Sequence, residues 1–281
     1  MKASRTRQSL AIMARYGVTE KNAFEARDAV VEGLRCGPMP RRELSKQVLS
    51  QIKVGKKARF WFERASWSVF RQAIVEGLVC HGPNQGQEST MLRVDQWLPK
   101  QRRVSEDVAQ RILLRRYLSA YGPATVRDFG KWAGFSVPEA RAIGELLRDE
   151  LMEVDVEGSA ALILRRDYSQ LRDCALGAPT LRLLPNFDAC LLAHVETDHL
   201  IDAAYYKRVY RNQGWISPVV LLNGRVIGVW SHARRGKLWA VEIEPFERLG
   251  KSVQAKIEEE AASLGRFLGS RCEVRFAPGN S

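Results

Sequence analysis

The stretches VVEGLRCGPMPRREL (residues 30–44) and LRRYLSAYGPATVRDF (residues 114–129) carry the reading of the fold, because each runs from an apolar-periodic segment through Gly-Pro into a short basic one. Proline cannot continue a helix and the residue before it avoids helical torsions, so each Gly-Pro stops one helix and the basic segment beyond it starts another. Upstream of the first stop, Phe24, Ala26, Ala29, Val30 and Leu34 have helical spacing. Downstream, residues 41–48 predict a second helix, Lys53 to Arg59 a basic stretch, and Phe60 to Glu76 a third helix closed by Gly77. Leu78–Cys80 and Thr90–Val94 flank GPNQG at 82–86, which predicts two short strands around a turn-rich wing. Three helices and a hairpin suggest a winged helix-turn-helix.

The same grammar returns around the second stretch. Val108–Tyr121 reads as a helix, Gly122 and Pro123 break it, and residues 125–132 form a short helix capped by Thr125. Ser136, with Glu139 three positions on and Pro138 between them, has the spacing of a capping box, and Ala142, Leu146 and Leu147 continue the apolar face. Met152–Val156 and Ala161–Leu164 then predict a hairpin. From about residue 180 the pattern turns strand-rich: 181–185, then 219–230 with Asn223-Gly224 as a strong hairpin turn, then 237–243. A closing helix is expected over Glu247–Leu268 and a return strand over Arg271–Phe276. The expected class is α+β: tandem winged helix-turn-helix domains followed by a β-rich C-terminal domain. The expected boundaries are a polar basic leader at 1–23, winged helices at 24–99 and 100–178, and a β-rich domain with its closing helix at 179–281.

Composition narrows the function. At 281 residues, 45% hydrophobic and 27% charged, the chain is not intrinsically disordered and suits two or three modules. Its five cysteines are scattered and form no CxxC pair, which fits a reduced, cytoplasmic protein. Apolar patches such as Ile216–Leu222 fall short of the roughly 20 residues of a membrane span, and no signal-peptide core is present, so no membrane partner is expected. The net charge of +12 is concentrated in residues 1–100, which hold 18 Lys+Arg against 9 Asp+Glu, whereas residues 101–176 balance at 12 and 12. Such a cationic first third attracts polyanions, and double-stranded DNA is the expected partner of a monomeric protein.

A winged helix sets one helix in or against a DNA groove and touches phosphates with its wing. The candidate contacts are therefore Arg41, Arg42, Lys46, Lys53, Lys56, Lys57, Arg59 and Arg64 in the first module, Arg127 and Lys131 in the second, and Arg234, Arg235 and Lys237 in the β-domain hairpin. Trp61, Trp67 and Trp132 could stack on bases, but their helical spacing favours core packing. His81, His194, His199 and His232 make no HExxH motif and join no cysteine pair, so no metal is expected. The Gly-Pro turns lack the context of a phosphate-cradling loop, so no cofactor is expected either. Asp188, with Asn186 in LLPNFD, is a base for hydrolysis, a group that orients a nucleotide, or a loop cap, and the cap is favoured.

Three ordered segments carry a resemblance: YLSAYGPATVRDFGKW at 117–132, LLPNFD at 183–188 and QGWISPVVLLNGRVIGVW at 213–230. Together they resemble the AlkZ/YcaQ family of bacterial winged-helix DNA glycosylases over roughly residues 24–270. The resemblance implies tandem winged helices, a β-rich C-terminal part and, in the family's characterised members, removal of alkylated bases, including those in interstrand crosslinks. It also implies an additional N-terminal region with a Gln-x-Gln or Gln-x-Asp catalytic motif, after which this chain is expected to start. Gln8, Gln47 and Gln51 have no partner at that spacing. Gln85 and Gln87 do, but in the expected wing, so no catalytic residue is assigned. The leading expectation is a DNA-binding relative without a complete catalytic motif. The alternatives are an active monofunctional glycosylase, a winged-helix transcription regulator, and a relative that has lost its first domain.

Overall fold

Thr19 opens the helix read upstream of the first Gly-Pro, its side chain accepting the Asn22 amide at 3.2 Å; Ala26, Val30 and Leu34 of the predicted face are buried with Ala23, whereas Phe24 and Ala29 are only half-buried. The structure, a computed structural model, describes residues 2–64, 68–99, 104–174, 177, 179–236 and 238–277. It divides into two compact units, Met1–Ala109 and Gln110–Ser281.

In the first unit the order is α1 (Lys2–Arg15), α2 (Glu20–Gly33), β1 (Met39–Pro40), α3 (Arg41–Gln51), α4 (Lys56–Arg64), a 3-10 turn at Ser68–Phe70, α5 (Arg71–Val75), β2 (Val79–His81), β3 (Thr90–Arg93) and α6 (Val94–Trp97). The strands form an antiparallel sheet in the order β1-β3-β2. One core runs through these elements, from Met13 and Val18 to Leu44, Val48, Phe62, Phe70 and Met91. Two expectations change. Residues read as a polar leader include α1, whose Met13 is buried in the core with Leu10 packed against it, because two apolar residues one helical turn apart suffice to dock a helix against an existing core. The third helix is not continuous over 60–76: α4 starts earlier, at Lys56, because Ala58 and Phe62 lie four apart and both enter the core, and α5 is a separate short helix.

The second unit repeats the order. Here α7 (Glu106–Tyr121), which begins just before the unit's boundary, is followed by α8 (Val126–Ala133), α9 (Val137–Glu145), the antiparallel hairpin β4 (Leu151–Val156) and β5 (Ser159–Leu164), and α10 (Tyr168–Arg172). Ala124, just past the Gly-Pro stop, bridges to Leu162 on β5, the position that β1 takes beside β3 in the first unit. Both expected helix starts are capping boxes, Thr125 with Asp128 and Ser136 with Glu139.

The chain then enters β6 (Leu181–Leu184), α11 (Tyr206–Val209), β7 (Val219–Leu222), β8 (Arg225–Arg235), β9 (Leu238–Pro245), α12 (Lys251–Phe267) and β10 (Arg271–Phe276). The five strands lie in the order β10-β9-β8-β7-β6, antiparallel except for β9 and β10, which run parallel because α12 crosses between them. Asn223 and Gly224 turn β7 into β8 with φ of 50° and 81°, torsions that glycine adopts freely and asparagine tolerates. Gly228 lets β8 approach β9 closely, since a Cβ there would lie 2.8 Å from the Glu244 carbonyl oxygen. Val220, Trp230, Val241 and Ile243 pack with Ile257 and Ala261 of α12, while Val219 and Val226 pack with Leu191, Leu200, Val209 and Phe246. All five cysteines are free, and no described helix is long and apolar enough to cross a membrane.

Candidate nucleic-acid interface

Burying Ala58 and Phe62 turns the other side of α4 outward, so Lys56, Phe60 and Arg64, spaced four apart, share an exposed face. Phe60 is 60% exposed and the Arg64 guanidinium lies 5.3 Å from its ring centre. Lys53 and Lys57 are exposed beside it, the Lys57 stem lying along the turn at Gly17. Arg59 is different: it donates to the Leu49 carbonyl at 2.9 Å and lies 3.5 Å from Glu63, so it fastens α4 to the end of α3. On α3, Arg41 is half-buried, Lys46 is exposed, and Arg42 extends to 3.9 Å from Glu88. The first unit thus brings the predicted cations of residues 41–64 onto two consecutive helices, except Lys53, which lies in the loop between them. The aromatic side chains divide as expected: Trp61 stacks on Tyr16 at 4.8 Å against the core and Trp132 packs among Tyr117 and Tyr121, while Trp67 lies outside the described residues.

Gln85 and Gln87 sit in the β2–β3 loop, both exposed, with Gln85 and Glu88 exchanging backbone hydrogen bonds of 2.9 and 3.1 Å.

In the second unit the predicted cations are already engaged. Arg127 pairs with Glu196 at 3.3 Å and the Lys131 ammonium donates to the His194 carbonyl at 3.3 Å. They belong to a clasp that ties α7 and α8 to residues 193–196. The Tyr117 hydroxyl donates to the Ala193 carbonyl at 2.7 Å, His194 Nε2 lies 3.0 Å from the Tyr121 carbonyl, and the Asp128 carboxylate accepts the Val195 amide at 2.6 Å while it caps α8. Burial opposes ionisation of Asp128, but hydrogen bonds from Thr125 and the Val195 amide outweigh it and hold the carboxyl below the usual range. Burial, followed by the neighbouring Asp128, pushes the Tyr117 hydroxyl far up. His194 and His199 meet edge to face at 4.8 Å; burial, with His194 beside it, lowers the His199 imidazole. No group of three His, Cys, Asp or Glu able to hold a metal comes together among the described residues.

In the β-rich part, Arg234 and Arg235 face Trp239 and Leu238 across the β8–β9 ladder, both exposed, and Arg234 also donates to the Gly236 carbonyl at 3.3 Å. Lys237 lies outside the described residues. Asn186 is exposed, and Asp188 caps the 3-10 turn Ala189–Leu192 by accepting the Cys190 amide at 2.9 Å. Its carboxylate therefore serves as a loop cap. Sequence reasoning missed several exposed aromatic side chains, Phe60, Phe187 and Trp215 among them, because an apolar residue in a helix or beside a strand reads as core by default.

The DNA glycosylase AlkZ-like family model matches residues 1–267. The chain is 34% identical over 271 residues to an interstrand DNA cross-link repair glycosylase of Streptomyces sahachiroi, covering 92% of this chain and 70% of that protein. It also matches the solved structure of Streptomyces sahachiroi DNA glycosylase AlkZ with a TM-score of 0.75 and 31% identity, over 98% of this chain and 75% of that one. The segments at 117–132, 183–188 and 213–230 therefore pointed to the right relatives, and the chain belongs to the AlkZ-like family of DNA glycosylases.

Proposed function

We propose that this chain is a monomeric, cytoplasmic protein that grips duplex DNA through tandem winged helix-turn-helix domains, 24–99 and 100–178, and through the hairpin of the β-rich domain at 179–281, without a complete catalytic motif of its own. The observation that carries the reading is the exposed face of α4. In the order α2, β1, α3, α4, β2, β3 it holds the place of the helix that meets the groove, and it presents Lys56, Phe60 and Arg64 with Lys53 and Lys57 beside them. Lys56, Lys57 and Arg64 meet no carboxylate among the described residues, so their charge is available to phosphates. With Arg127 and Lys131 held in the clasp, the second winged helix contributes less. Gln-x-Gln occurs in the sequence at Gln85 and Gln87, in an exposed loop, and Gln-x-Asp does not occur.

Titration against unrelated duplexes at low and rising salt tests the grip. Sequence-tolerant binding that weakens with salt is expected, and no binding at low salt overturns the proposal. Duplexes carrying N7-alkylguanine or N3-alkyladenine test the rest: binding without alkali-labile sites is expected. The second reading, an active monofunctional glycosylase acting on alkylated or crosslinked bases, is favoured by the name of the Streptomyces relative, and abasic sites in that assay would establish it. A transcription regulator, the third reading, would leave a sequence-selective footprint.

A further inference from the structure

Two of the three segments that identify the family, LLPNFD at 183–188 and QGWISP at 213–218, have no part in the proposed grip on DNA, and the fold brings them together at one point: Phe187 and Trp215 meet edge to face, 5.1 Å between ring centres. Their neighbours Leu184, Leu191, Ile216 and Val219 pack into the core, yet Phe187 is 43% and Trp215 47% exposed. Both rings are held out on rigid supports. Phe187 has φ of 57° and Gln213, two residues before Trp215, φ of 62°, a region that bulky side chains avoid. Asp188 caps the turn just after Phe187, the Trp215 carbonyl accepts the Arg211 amide at 2.8 Å, and the Tyr210 hydroxyl donates to the Leu191 carbonyl at 2.8 Å. Arg211 is exposed two residues before Gln213 and pairs with no carboxylate among the described residues.

A half-exposed pair of aromatic rings, with the backbone of the unpaired Arg211 bonded to that of Trp215, suits a planar, uncharged ring attached to a phosphate. Resting on the DNA-binding reading, we propose that Phe187 and Trp215 form a stacking ledge for one unpaired nucleobase of the bound DNA, with Arg211 supplying charge for its backbone. The ledge gives the protein a preference for DNA from which a base is already displaced. It separates recognition of a distorted duplex from the non-specific grip of α4.

Two duplexes of one sequence distinguish these roles, one fully paired and one carrying a single extrahelical 2-aminopurine. The protein is expected to bind the second about tenfold more tightly and to quench its fluorescence. Phe187→Ala and Trp215→Ala are expected to lose the preference and the quenching while holding affinity for the paired duplex within about twofold. Trp215→Phe, which keeps a ring and guards against a folding defect, is expected to retain most of both. Equal affinity of the unaltered protein for the two duplexes overturns the ledge and leaves the DNA-binding reading standing. So does an undiminished preference in the alanine variants, or an equal loss on both duplexes with an unchanged melting temperature. Failure to bind either duplex at low salt removes the DNA-binding reading and the ledge with it.

Discussion

The carboxylate of Asp128 closes the capping box of α8 on Thr125 and also accepts an amide 67 positions further along the chain, that of Val195. Of the first bond, the sequence reading had the cap, Thr125, but not its partner Asp128. The second was not legible, because nothing local in a sequence records which distant amide a fold delivers. Asp128→Ala leaves the Val195 amide and the start of α8 unsatisfied in a buried place, and is expected to destabilise the second unit by about 2 to 3 kcal/mol, read from urea unfolding. Since the folded carboxyl lies below its ordinary value of 3.8, its contribution is complete above that pH and is lost as the pH falls through the folded value. His199 acts in a different window. Its imidazole lies below its ordinary 6.5 in the folded chain, so the unfolded chain binds the proton more readily and stability declines as the pH falls below about 6.5. His199→Gln is expected to flatten the slope of melting temperature between pH 5 and 7. Asp188 shows the residue scale from the other side: the sequence left a base, a nucleotide-orienting group and a cap open, and the bond to the Cys190 amide shows the cap.

Among the elements, α4 combines readable and unreadable features. Its cations were visible as a run, but which of them face outward depends on Ala58 and Phe62 entering the core, which only packing decides. The run accordingly splits by role. Replacing Lys56 and Lys57 together with Glu is expected to weaken duplex binding strongly and to lower the steepness of its salt dependence by about 2, at roughly 0.9 per phosphate contact, with stability little changed. Arg59→Ala is expected to cost about 1 kcal/mol of stability through the lost bond to Leu49 while moving the salt dependence less, a contrast that paired melting and binding curves will show. Elsewhere the local signals sufficed: Asn223-Gly224 specifies its turn by torsion, Ser136 with Glu139 specifies a helix start, and the return strand falls at Arg271–Phe276 as read. The sequence missed α1 because only a few of its side chains enter the core, and it joined α4 to α5 because a break between two amphipathic helices leaves the apolar count unchanged.

For the molecule as a whole, each cluster of buried apolar residues among the described residues lies within one unit: one runs from Met13 to Met91, one from Leu114 to Leu164, and two fall within Leu181–Ala261. A fragment of residues 104–281, which keeps α7 intact, is therefore expected to fold by itself with a cooperative melt, and residues 1–103 to carry most of the salt-dependent affinity for DNA; circular dichroism and titration check the two halves. The sheet of the second unit adds a constraint of another kind. Strand β8 runs on through Ser231–Arg235 after β7 has ended, with β9 as its one strand neighbour among the described residues, so the backbone along its other side is an open edge. Open edges invite pairing with another copy of the chain, and charged side chains are a usual deterrent. Arg234 and Arg235 therefore act as gatekeepers whether or not DNA is present: replacing both with valine is expected to produce concentration-dependent aggregation, visible by light scattering, before any loss of binding can be interpreted.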